Sequence, residues 1–81
     1  MAIGNADRDL LIQTLFDIVG EDYYVAGRIL AKLETRFPAV AWRSRLSTLM
    51  DARPEYVASG LSIDWWKQEV ARQADIIKAS S

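Results

Sequence analysis

The chain has 81 residues and contains no cysteine and no histidine. Without them there is no disulfide framework and no Cys/His zinc site. A thiol nucleophile and an imidazole base are missing too, the side chains best suited to catalysis near neutral pH. Small secreted domains commonly depend on disulfides, so the composition predicts a reducing, cytoplasmic setting. Glycine is scarce: Gly4, Gly20, Gly27 and Gly60 are scattered and build no phosphate-cradling loop. No apolar run approaches the roughly 18 residues needed to cross a bilayer. The first nine residues lack the basic and apolar regions of a secretory leader. The expectation is a chain with no membrane span, no metal and no cofactor.

What the chain does have is apolar mass. Half of it (51%) is hydrophobic, including three Trp, three Tyr and two Phe. That is too apolar for a disordered segment and enough for one thin-cored domain over residues 1–81. Net charge is −1, but the signs are segregated along the chain. Residues 1–27 set Arg8 against Asp7, Asp9, Asp17, Glu21 and Asp22, whereas residues 28–53 set six cations against Glu34 and Asp51.

Hydrophobic periodicity predicts an all-α fold, a compact bundle or orthogonal array of four main helices. The first spans about 6–19, with Asn5 as N-cap, and puts Leu11, Ile12, Leu15, Phe16, Ile18 and Val19 on one face. Gly20 suits its left-handed C-terminal stop. The second spans about 22–36, opened by Asp22, with Ala26, Ile29, Leu30 and Leu33 facing inward. Gly27 and Ala31 share one side, where small residues admit a close helix neighbour. Phe37 precedes a proline, so the helix ends there. Pro38 suits the first position of a third helix, about 38–51, with Trp42, Leu46, Leu49 and Met50 as its stripe. The fourth, about 63–79, starts from Ser62 as N-cap and turns Ile63, Trp66, Val70, Ala74 and Ile77 inward. Residues 54–61 read either as a short helix at 54–59 or as the first strand of a hairpin wing, the helix being favoured.

Chemistry-bearing clusters are thin. Asp7 and Asp9 lack the ligand ladder of a calcium loop, and Gly20 separates Asp17 from Glu21. The serines have no histidine to activate them. The expectation is therefore a non-enzymatic protein.

Two surface features are informative. Arg28, Lys32 and Arg36 recur every fourth residue and line one outward strip, with Arg43 and Arg45 beginning the next helix. Trp65 and Trp66 are neighbours and diverge by about 100° on a helix, so they cannot share a core. Trp66 joins Val70 and Ile77, which leaves Trp65 on the flank with Glu69, Arg72 and Ile76. One of Tyr23 and Tyr24 should likewise pack while the other faces solvent.

These features predict a small protein-binding module, an adaptor, regulator or inhibitor acting by surface occlusion. Its contacts would be Arg28, Lys32, Arg36, Arg43 and Arg45 toward an acidic protein partner, and Trp65 with Ile76, a face that also suits self-association. The alternative is a helix-turn-helix or winged-helix DNA-binding protein turning at Phe37-Pro38, set against an acidic pI of about 5.2. A structural subunit of a larger assembly is a third reading.

Overall fold

The computed structural model describes residues 5–19, 23–53 and 62–80. Among these residues there are four helices and no strand: α1 (Asn5–Val19), α2 (Tyr23–Arg36), α3 (Trp42–Ala52) and α4 (Ile63–Ser80). The expected extra turn or wing at 54–61, the Asp22 cap, the Gly20 stop, and the Phe16, Ile18 and Val19 side chains all lie outside the described residues. No described helix is long and apolar enough to cross a membrane. A radius of gyration of 11.9 Å matches the value of about 12 Å for a packed chain of this length.

Each helix buries described residues of the stripe its periodicity marks. Ile12 and Leu15 come from α1, and Ala26, Leu30, Ala31 and Leu33 from α2. Trp42, Leu46 and Met50 come from α3, and Trp66, Val70 and Ala74 from α4. Together they form one continuous core, with Leu11, Ile29, Phe37, Leu49, Ile63 and Ile77 packed around it. No polar or charged residue among those described is buried in this core. The fold is therefore held chiefly by apolar burial and dispersion.

Helices α2 and α4 approach closely, and Gly27 is the reason. A β-carbon on Gly27 would stand 2.5 Å from Gln73 Cβ and 3.1 Å from the Ala74 backbone nitrogen. The two helices run in the same direction: Tyr23 meets Trp65 near their starts, and Glu34 meets Lys78 near their ends. In contrast, α3 runs against α4, since Arg43 pairs with Asp75 while Lys67 pairs with Asp51 eight residues further along α3.

Helix starts show where side-chain chemistry and local sterics act. Ser62 caps α4 as expected, its hydroxyl accepting from the Trp65 backbone N–H at 3.1 Å. The α1 boundary falls one residue earlier than expected, with Asn5 already helical. The third helix corrects the expectation more sharply. It begins at Trp42 and not at Pro38. Pro38 instead occupies the second position of a turn closed by the Val40 N–H on the Phe37 carbonyl at 3.1 Å, where its fixed φ is equally suitable. Ala41 (φ −80°, ψ 72°) then forms an inverse γ-turn, with Trp42 N–H on the Val40 carbonyl at 2.9 Å.

The indole of Trp42 explains why this arrangement wins. It is 1% exposed, donates from Nε1 to the Phe37 carbonyl at 3.1 Å, and packs with the Phe37 ring at a centroid distance of 6.0 Å. A helix starting at Pro38 would place Trp42 more than a full turn inside it, out of reach of that fold-back onto the corner.

Candidate functional site

Arg28, Lys32 and Arg36 stand exposed along α2. The structure treats them differently from the other candidate cations. The Arg43 guanidinium donates from Nε to Glu34 at 2.8 Å and from Nη2 to the second Glu34 oxygen at 3.1 Å. It also bonds Asp75 on α4. Lys78 closes the group, 3.3 Å from Glu34. Arg45 pairs with Asp9 of α1 at 2.7 Å. Arg43 and Arg45 are thus engaged by the chain's own acids, tying α3 to its three neighbours.

Titration follows from this geometry. Partial burial alone would raise the Glu34 carboxyl, but the hydrogen bonds and charge of Arg43, then of Lys78, outweigh it and hold it below the ordinary range. The hydrogen bond from Arg43 likewise lowers Asp75. The two carboxylates in turn keep Arg43 fully protonated by raising its already high pKa.

Among the described residues, no carboxylate pairs with Arg28, Lys32 or Arg36. Arg36 instead lies over the Phe37 ring, 5.6 Å from its centroid. The three cations form a ridge along α2, of which Lys32 and Arg36 border two open grooves and Arg28 borders the second only. The first, of about 420 Å³, lies between α1 and α2 and is floored by Leu11, Ile29, Leu33 and Phe37. The second, of about 340 Å³, lies between α2 and α4, with Ala31 and Ile77 below and Lys78 on its far side.

The apolar walls were not picked out as site residues in the sequence, although a signal for them exists. Each ridge cation is followed by an apolar residue: Arg28-Ile29, Lys32-Leu33, Arg36-Phe37. At helical spacing this repeat sets a charged row beside an apolar row for more than two turns.

Trp65 and Trp66 separate as expected, at 42% and 0% exposure. Ile76 is also exposed, three turns along the same line of α4. The Arg72–Glu69 ion pair lies between them, and Gln73 also donates to Glu69 at 3.0 Å. Arg72, then Gln73, lower the Glu69 carboxyl. Trp65 has one neighbour not foreseen, Tyr23, whose ring meets it edge-on with centroids 5.5 Å apart. The expected division between the tyrosines is therefore incomplete, since Tyr23 and Tyr24 are both substantially exposed. Any cover of Trp65 by residues 54–61 lies outside the described residues.

The ridge and the Trp65 line are thus two separate patches, and Arg43 and Arg45 belong geometrically to neither. In comparisons with known proteins the chain matches no family model, no curated protein and no solved structure.

Proposed function

We propose that this chain is a non-enzymatic protein-binding module that engages an acidic protein partner through the outward face of α2. One observation carries the reading. Among the described residues Arg28, Lys32 and Arg36 meet no internal counter-charge, whereas Arg43, Arg45, Lys67, Arg72 and Lys78 are each paired with an acid. A row of unneutralised cations beside solvent-open apolar grooves offers both long-range attraction and short-range contact area. Binding there would act by occluding the partner's surface, as an adaptor, regulator or inhibitor does.

Trp65 and Ile76 supply a second contact patch on α4, and pairing of two copies through it is the self-associating form of this reading. The exposed indole, already steadied by Tyr23, suits an interface anchor. Sedimentation of the wild type against Trp65→Ala measures that form directly.

Affinity capture from native lysate, with and without nuclease, tests the main reading. The double reversal Arg28→Glu with Lys32→Glu should lose the protein partner while remaining folded. Nuclease-sensitive capture would transfer the ridge to nucleic acid. Capture that is indifferent to both the reversal and nuclease would remove the ridge from the function.

A further inference from the structure

We infer that the partner element is an acidic amphipathic helix, lying along the α1–α2 groove with its carboxylates against the α2 ridge. This rests on the protein-binding reading above and specifies the chemistry that the same face would accept.

The argument begins with spacing. Arg28, Lys32 and Arg36 advance about 6 Å per step at 1.5 Å per residue, so the ridge covers about 12 Å of helix axis. A partner helix bearing Glu or Asp at every fourth position advances by the same amount. Two carboxylates can therefore meet Lys32 and Arg36, which line the groove, and a third can reach Arg28 one step further along the ridge, without stretching either chain. A row with a different period would satisfy one pair and miss the next.

The second element is the apolar row beside the charges. Ile29 and Phe37 are half-buried and Leu33 is buried, with Leu11 of α1 forming the opposite wall of the groove. A helix whose acidic residues border an apolar stripe would place that stripe in the groove while its carboxylates reach the ridge. The groove volume of about 420 Å³ accommodates a few apolar side chains and not a broad surface.

Other anionic partners fit less well. A phosphodiester backbone would satisfy the cations but has nothing to place against Leu11, Ile29 and Phe37. A membrane surface is reached best by apolar side chains that protrude, and these lie recessed beside the ridge.

The test uses the full chain and a synthetic helix-favouring peptide with Glu at every fourth position over three turns and Leu beside each Glu. A scrambled peptide of equal composition is the control. The affinity is read by fluorescence anisotropy and the contact by amide chemical-shift mapping. The designed peptide should bind saturably and perturb Leu11, Ile29, Leu33 and Phe37, and Lys32→Glu should weaken it roughly tenfold or more. Lys32 is exposed, so this variant should fold as the wild type does. Equal binding of the scrambled peptide, or shifts confined to α4, would overturn the inference. If the peptide fails while the charge-reversed chain still loses its protein partner from lysate, the helix assignment falls and the protein-binding reading stands. If anionic phosphatidylglycerol vesicles or duplex DNA bind through Lys32 and the peptide does not, both fall.

Discussion

Gly27 and the two adjacent tryptophans show how much a single side chain decides in a domain this thin. Alanine is the better helix former by about 1 kcal/mol, so on propensity alone Gly27→Ala should stabilise α2. The structure predicts the reverse, because the new β-carbon would meet Gln73 Cβ at 2.5 Å. A β-carbon is fixed by its own backbone, so relief requires moving α2 away from α4. Overpacking of this kind costs about 1–3 kcal/mol, and chemical unfolding of Gly27→Ala should show a net loss; a gain would mean the helices are not in the close contact described. The tryptophans give a paired test at constant chemistry. Trp66 is 0% exposed and Trp65 is 42% exposed, although one peptide bond separates them. Trp66→Ala should cost about 3–5 kcal/mol. Trp65→Ala gives up chiefly the edge-on Tyr23 contact and partial burial, and should cost about 1 kcal/mol. Comparable losses from both would contradict the division between core and flank.

At the scale of the element, α3 and α4 start by different devices, and these differ in how visible they are in sequence. Ser62 is a local device: its hydroxyl serves a backbone N–H three residues on. Ser62→Ala should therefore lower stability by about 1 kcal/mol, and Ser62→Asp, which keeps an acceptor and adds a charge suited to the helix start, should restore it. Thermal unfolding of the two variants checks both, and equal melting temperatures would remove the cap from the account. Devices of this local type were legible, as were the inward stripes, because helical periodicity depends only on neighbours along the chain. The start of α3 was not. Pro38 satisfies a turn as readily as a first helical turn, and the choice is made by the Trp42 indole reaching back to the Phe37 carbonyl. Nothing in the local pattern states that preference. The same limit applies to the site. Spacing showed that Arg28, Lys32 and Arg36 share a strip, and adjacency showed that only one of Trp65 and Trp66 could enter the core. That Arg43 would be engaged by Asp75, 32 residues away, or Arg45 by Asp9, 36 residues away, required the packing of whole helices.

The network around Arg43 contributes to the acid response of the whole molecule. Glu34, Arg43, Asp75 and Lys78 join α2, α3 and α4 in one network, next to a core with no buried polar side chain among the described residues. Glu34 and Asp75 both have carboxyls lowered by folding. A lowered carboxylate binds its proton less readily in the folded state than in the unfolded state. Its stabilisation is therefore complete above the unfolded pKa and is lost as pH falls through the folded one. Arg43 stays charged throughout, so it contributes no change of its own over this range. The wild type should lose stability on acidification from about pH 5 downward. Glu34→Gln keeps the shape and removes the charge. At neutral pH it should be less stable by about 1 kcal/mol, below the usual value of a charge-assisted bond, because the Arg43 side chain is 41% exposed and water screens the pair. As pH falls, the wild-type carboxylate becomes neutral too, so the urea-unfolding curves of the two proteins should converge. A stability gap that stays constant down to about pH 2 would show that Glu34 contributes through packing, and that the charge it shares with Arg43 and Lys78 does not hold the helices together. Convergence would also establish Arg43 and Lys78 as cations committed to an internal acid, in contrast to Arg28, Lys32 and Arg36, which meet none among the described residues.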